Sequence, residues 1–422
     1  MTPTRRFMLT AGPAALLGVP ASAFAATRKR FVYVLADGGW DVTYCLDPKQ
    51  GIPTIQGPEV DEDPNDPNDR EAVETFSGIP IQVNDAKRPA VRSFFESWGS
   101  AVVAVNGIWV GAIAHDPCRR RILTGQESEG FSDLSVIAGA IHGADLPVGS
   151  FDCSGVGYSG PLAATTGALG QRAQLATLLD PSLRFPPAKG VAPDVLGDMR
   201  PDVQARIASY LTDRRAAYQL GHPDPRARLA DLEQSQLRAV RLRDKAADLA
   251  ASVKPGSEPQ MSDTVGLTVE LLAREVCSSV LLQSFGAWDT HINNVNQHGY
   301  YDGMFTGLSQ LLFGLEAAGI LQDTLVVVSS EMTRTPTLNE GAGKDHWGHT
   351  SALLIGAGLQ GGRAFGGTND LLESLPVNLD SGAVDESRGE LNKFDNFAAG
   401  VLERLDIDPT EWLPGVAPWR AL

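Results

Sequence analysis

The 422-residue chain has few cysteines, no long apolar run and no excess of basic charge. Its four cysteines, Cys45, Cys118, Cys153 and Cys277, form neither a CxxC pair nor a zinc-ribbon spacing. They read as packing residues or as the ends of one optional bridge. No uninterrupted apolar stretch is long enough to cross a bilayer, so no integral membrane segment is expected in the mature chain. Lys and Arg number 35 against 51 Asp and Glu, a formal net charge of −16. That excludes nucleic acid as the main partner, which needs a basic surface. It does not exclude a small or polymeric anionic substrate, because a bound metal ion reverses the local field. Hydrophobic content of 43% and charged content of 20% are ordinary globular values and exclude a mainly disordered chain. The length suits one large α/β domain or two modest ones.

The start of the chain carries Thr4-Arg5-Arg6-Phe7-Met8-Leu9, an apolar stretch broken by Gly12, Pro13, Gly18 and Pro20, and then Ala23-Phe24-Ala25. This resembles a twin-arginine export signal with a small-x-small cleavage site, residues 1–25. It implies the twin-arginine translocase as a partner during export and a periplasmic or extracellular location. A buried helix is disfavoured by two prolines and two glycines in so short a span.

Residues 26–422 then read as one α/β domain. Phe31–Leu35, Ala101–Val105, Ser279–Ser284, Thr324–Val328 and Ser351–Ile355 are continuous apolar runs, each entering a polar or Gly-rich loop. Continuous runs predict strands buried on both faces, as in a doubly wound, mostly parallel sheet. Tyr301, Phe305, Leu308, Leu312 and Leu315 fall at helical spacing before Gly319. Residues 199–252, helical and charged, predict an insertion or cap broken at Gly221-His222-Pro223. Residues 59–74, acidic and rich in Pro and Asn, predict a solvated surface loop, with a calcium site as the lesser alternative.

In such a sheet, polar residues just beyond the carboxyl ends of strands converge on one crevice. Asp37, Asp289 and Glu331 occupy such positions, and His291, Asp345 and His346 stand in similar polar loops. A mixed carboxylate and imidazole set points to a divalent metal, zinc, manganese or iron in preference to calcium. Each member has a plainer reading. Asp37 can cap the turn at Gly38-Gly39, Asp289 can orient His291, Glu331 can pair with Arg334, and His349 can cap a strand. Trp40, Trp288 and Trp347 can line a pocket or fill the core, and His142, His222 and His298 suit surface or packing positions.

In order, the chain shows ADGGWD after a strand, GAWDTHINNVNQ, VVVSSEMTRT and GKDHWG. These resemble the domain of unknown function 1501 family, within the alkaline phosphatase and sulfatase superfamily. The resemblance implies an alkaline phosphatase-like fold. The chain departs from the family pattern at Met332-Thr333, where Phe-Gly is usual. His115-Asp116-Pro117-Cys118-Arg119-Arg120-Arg121-Ile122-Leu123-Thr124-Gly125 resembles the sulfatase signature C/S-x-P-S-R-x-x-x-L-T-G. The resemblance puts His115 at the place of the nucleophile, as nucleophile, base or metal ligand. It puts Arg119 where a guanidinium holds an anionic ester. The plainer alternative is the basic start of a surface helix. Arg334, near Glu331, is a second candidate to offset charge on the transferred group.

Two classes of function follow. One is an exported, metal-dependent hydrolase of phosphate or sulfate esters. The other is a non-catalytic binding or assembly scaffold on the same fold, favoured by the missing Ser, Thr or Cys nucleophile.

Overall fold

The computed structural model describes residues 28–168, 201–218, single helical positions between 232 and 245, and 261–421. The expected export segment and the break at Gly221-His222-Pro223 lie outside the described residues. Strands run as β1 Arg30–Leu35, β2 Ala72–Phe76, β3 Ile79–Val83, β4 Val102–Trp109, β5 Ser150–Asp152 and β6 Thr166–Ala168. They continue as β7 Ser279–Gln283, β8 Thr324–Ser329, β9 Thr333–Arg334, β10 His346–Trp347, β11 His349–Gly356 and β12 Arg363–Gly366. The described helices are α1 Pro89–Trp98, α2 His115–Thr124, α3 Leu134–His142, α4 Pro201–Tyr218, α5 Met261–Ala273, α6 Gln297–Ala317 and α7 Phe394–Arg404.

Eight strands form one sheet in the order β12-β4-β11-β8-β1-β7-β5-β6. Neighbours are parallel except at β11, which runs antiparallel to both β4 and β8. The apolar runs are continuous because both faces are covered. Val32 and Val34 join a core with Phe94 and Phe95 of α1, Leu271 of α5 and Tyr301, Phe305 and Leu308 of α6. Phe31, Tyr33 and Leu35 point the other way, into a core with Ile122 of α2, Ile137 of α3 and Phe397 of α7. Each fully buried Val, Leu, Ile or Phe contributes roughly 1.5–3 kcal/mol, so two-sided burial of the central strands anchors the domain. The four cysteines are buried and unpaired, Cys45, Cys153 and Cys277 in the first of these cores and Cys118 on α2 against Val110 and Met332.

Two expectations are corrected. The direction of β11 puts Gly356-Ala357-Gly358 at the edge away from the crevice and brings the start of the strand, not its end, to the crevice. The acidic stretch is solvated only in part: residues 63–68 are largely exposed, but Asp69 and Glu71 turn inward. Asp69 meets Lys87 at 2.8 Å and Glu71 meets Arg88 at 2.5 Å. The stretch then enters β2, paired with β3. In the expected 199–252 cap, α4 is helical and mostly exposed and supplies no strand. Among the described residues no helix is long and apolar enough to cross a membrane.

Candidate metal centre

β1, β8, β7 and β4 all point their carboxyl ends at one edge of the sheet, and the reversed β11 points its amino end there. The loops at that edge are pressed together. Gly38 has φ +119°, and a Cβ on it would lie 2.6 Å from the Asp289 nitrogen, so only glycine lets the β1 and β7 loops touch. Likewise a Cβ on Gly343 would fall 2.0 Å from the His291 carbonyl oxygen, which explains the Gly ahead of Lys344-Asp345-His346.

Glu331, at the end of β8, is fully buried. Its Oε1 accepts from the Gly38 N–H at 2.8 Å, and its Oε2 accepts from the Ser330 hydroxyl at 3.0 Å. The same Oε1 lies 2.8 Å from Nδ1 of His115, the first residue of α2. That hydrogen bond raises the His115 pKa above its ordinary value, outweighing burial. Asp289, in the β7 loop, is half-exposed. Burial alone raises its pKa, but the hydrogen bond and charge of Arg334 hold the carboxyl at about 2.

Three imidazoles present Nε2 to Asp289. His346 and His291 lie 3.2 Å from Oδ1, and His115 lies 3.4 Å from Oδ2. Ligand atoms of His115, Asp289 and His346 all fall within 4.8 Å of one another. Each ring is held by its other nitrogen. His115 Nδ1 meets Glu331, His291 Nδ1 meets Asp345 at 2.9 Å, and His346 Nδ1 donates to the Ile113 carbonyl at 2.7 Å. An acceptor at Nδ1 fixes the proton there and leaves a lone pair on Nε2. The Nε2 atoms of His291 and His346 nevertheless face each other at 2.9 Å.

The expected site residues therefore divide. His115, Asp289 and His346 come together with ligand atoms facing inward, and His291 joins them beside Asp289 and His346. Glu331 and Asp345, read from sequence as ligands, stand behind His115 and His291 and orient them. Asp37 Oδ1 accepts from Arg119 Nε at 2.8 Å, and Arg119 also reaches Asp116 at 3.1 Å. Burial and the nearby Glu331 push the Asp37 carboxyl up, and Arg119 pulls it back. Arg334 is corrected most clearly. It is fully buried and ties loops together: Nε donates to Gly39 O at 2.7 Å, a terminal nitrogen to Lys344 O at 3.1 Å, and the other to Gly38 O, to Trp288 O at 3.0 Å and to Asp289 Oδ1 at 2.8 Å. It pairs with Asp289 and not with Glu331, and it has no free surface to meet an ester.

Trp40 and Trp288 are core residues, edge to face at 6.4 Å, whereas Trp347 is partly exposed. His349 meets the Ser374 hydroxyl at 2.7 Å, and burial lowers its pKa to about 4. Sequence reasoning missed a second pair of motif residues. Asp41 and Lys344 are both fully buried and meet at 2.7 Å, and Asp41 also takes hydrogen bonds from Thr43 and Asn294. The second acid of ADGGWD and the lysine of GKDHWG were the available signal.

The family model described as "Protein of unknown function (DUF1501)" matches residues 28–411. The chain belongs to the DUF1501 family. Comparison with curated proteins gives no match. Similar solved structures include a phosphonate monoester hydrolase of Agrobacterium radiobacter, 13% identical, covering 93% of this DUF1501 chain and 78% of that chain, with a TM-score of 0.34. A protein in the alkaline phosphatase superfamily from Vibrio parahaemolyticus is 9% identical, covering 90% and 67%, with a TM-score of 0.38. The PsFucS1 sulfatase from Pseudoalteromonas sp. is 9% identical, covering 94% and 75%, with a TM-score of 0.37. All three are distant.

Proposed function

We propose that this DUF1501 chain is a metal-dependent hydrolase of phosphate or sulfate esters, with His115, His291, His346 and Asp289 as the ligands. The observation that carries the reading is the 2.9 Å approach of two imidazole Nε2 atoms whose Nδ1 atoms both face acceptors. Two lone pairs repel at that distance, and a shared cation reverses the sign of the interaction. The donor set fits: three imidazoles and a carboxylate suit zinc or manganese, and imidazole nitrogen disfavours calcium.

A divalent ion there supplies Lewis acidity to an ester oxygen and lowers the pKa of a bound water. The protein's own groups do the rest. Glu331, Asp345 and the Ile113 carbonyl hold the imidazoles in the ligating tautomer. Arg119, steadied by Asp37 and Asp116, offsets charge on the transferred group. In hydrolysis, water oxygen bonds to phosphorus or sulfur, the bond to the alcohol oxygen breaks, and the alcohol leaves with a proton from that water. In this reading His115 is a ligand and water is the nucleophile, which removes the need for Ser, Thr or Cys at its position.

Elemental analysis of protein purified without chelator, followed by a panel of phosphate mono- and diesters and sulfate esters, tests the reading. Zinc, manganese or iron near stoichiometry and turnover abolished by chelation are expected. His115→Ala lowers metal content together with activity. A metal-loaded protein inert to every ester would leave the scaffold reading. We propose also that the chain is exported through the twin-arginine pathway to the periplasm or beyond, supported by Arg5-Arg6 and Ala23-Phe24-Ala25.

A further inference from the structure

Large apolar side chains scattered singly over a surface are ordinary. Their extremes here are not scattered. Among the described residues, the two most exposed large apolar side chains are Ile292 at 66% and Ile113 at 63%. Both sit on the loops that build the metal centre. Ile292 follows His291 directly. Ile113 lies two residues before His115, and its carbonyl accepts the hydrogen bond from His346 Nδ1 at 2.7 Å. Ile292 thus joins the site through the chain beside His291, and Ile113 through its carbonyl on His346; the rings of His291 and His346 are 4.5 Å apart.

The cationic side of the site is elsewhere. Arg334 is buried, so the partly exposed guanidinium at the centre is Arg119, beside Asp37. Exposed apolar surface next to a polar site marks a ligand groove. An ester bound here has two chemically different ends to place, an anionic head for the ion and Arg119, and the rest of the alcohol for the isoleucines.

We propose that the centre takes anionic esters of apolar alcohols, alkyl or aryl, with the hydrocarbon part against Ile113 and Ile292. The proposal rests on the hydrolase reading for the reaction, but the subsite is a matter of binding and is separable from it. A polyhydroxylated alcohol would leave its hydroxyls facing hydrocarbon without partners and is disfavoured by the same contact.

The test uses the metal-loaded full chain and methyl-, butyl- and octylphosphonate, which bind without being esters and do not turn over. Affinity is measured by calorimetry for the wild type, Ile113→Ser, Ile292→Ser and the double variant. Affinity is expected to rise from methyl to octyl by about tenfold or more, and the double variant is expected to lose most of that slope. Both side chains are exposed, so the variants keep the core. Affinity independent of chain length in the wild type, an unchanged slope in the double variant, or no binding of any phosphonate overturns the proposal. Ester turnover is assayed in parallel with alkyl and aryl phosphates and sulfates. A chain-length slope without turnover sinks the hydrolase reading and keeps the apolar subsite. Turnover without a slope does the reverse.

Discussion

Glu331→Gln isolates the contribution of one buried charge to the metal centre. The carboxylate has three partners: the Gly38 N–H, the Ser330 hydroxyl and His115 Nδ1. An amide oxygen still accepts from Gly38 and His115. Its NH2 then faces Ser330, whose hydroxyl can donate to the Ala36 carbonyl, 2.6 Å away. The fold is therefore expected to survive with little loss. The change removes the charge that makes His115 a stronger ligand, while the amide oxygen still fixes its tautomer. Loss of such an outer partner typically costs 10–100-fold in metal affinity, about 1.4–2.8 kcal/mol. Glu331→Ala differs in kind. It leaves the buried Gly38 N–H without an acceptor, at about 1–3 kcal/mol, and the partly exposed His115 ring without its anchor. Competition against a chromophoric chelator near pH 8, where protons compete least, reads the affinity, and urea unfolding of the metal-free proteins reads stability. Unchanged affinity in Glu331→Gln would refute the contribution of the Glu331 charge to the His115 ligand. So would Glu331→Gln destabilising the metal-free protein as much as Glu331→Ala, because the charge would then serve the fold itself.

Three further outcomes are expected. Lys344→Met leaves Asp41 buried and unpaired and should destabilise the protein by about 3–5 kcal/mol in urea unfolding, with Asp41→Asn added to it recovering part of the loss. Metal affinity should fall on acidification from a higher pH than an ordinary histidine would set: Glu331 raises the His115 pKa, the ligating form is neutral, and protons therefore displace the ion as pH drops through that raised value. The Asp289 carboxyl, held at about 2, contributes nothing to this release above strongly acid pH, and a metal-binding titration across pH 5–8 that stays flat would contradict the assignment. Replacing Arg5 and Arg6 with Lys should leave the precursor in the cytoplasm, read by fractionation, and normal delivery of the doubly substituted chain would argue against the export route.

The sheet was legible because burial on both faces writes itself as uninterrupted apolar residues, from Phe31–Leu35 to Thr324–Val328. Strand direction is not written there. The run Ser351–Ile355 has the same composition as its parallel neighbours, and only the sheet shows that it runs the other way. The ligand-type residues were also legible, because Asp-x-His and Asp-His pairs stand in polar, Gly-rich loops just beyond predicted strands. Which of them face inward was not. Glu331 and Asp289 are both acids beyond a strand, and what separates them is that Gly38 and His115 close over one while the other stays half-exposed. Arg334 looked like a partner for Glu331 because the two are three residues apart, yet the β9 strand carries its guanidinium under Gly38, Gly39 and Trp288 instead. The Asp41–Lys344 pair joins distant stretches of the chain, and no local pattern encodes it.

Arg334 also bears on when the ion arrives. Its guanidinium fastens loops from β1, β7 and the segment before β10 to one another through protein groups alone. In small zinc domains the metal and the fold are acquired in a single step, because the ligands have no arrangement without it. Here much of the entropy of bringing three loops together is met by an arginine that does not touch the ion. Under the proposed metal reading, loading is thus decoupled from folding: the chain reaches its final shape without the ion, and a chelator should empty the centre while leaving the sheet and its loops standing.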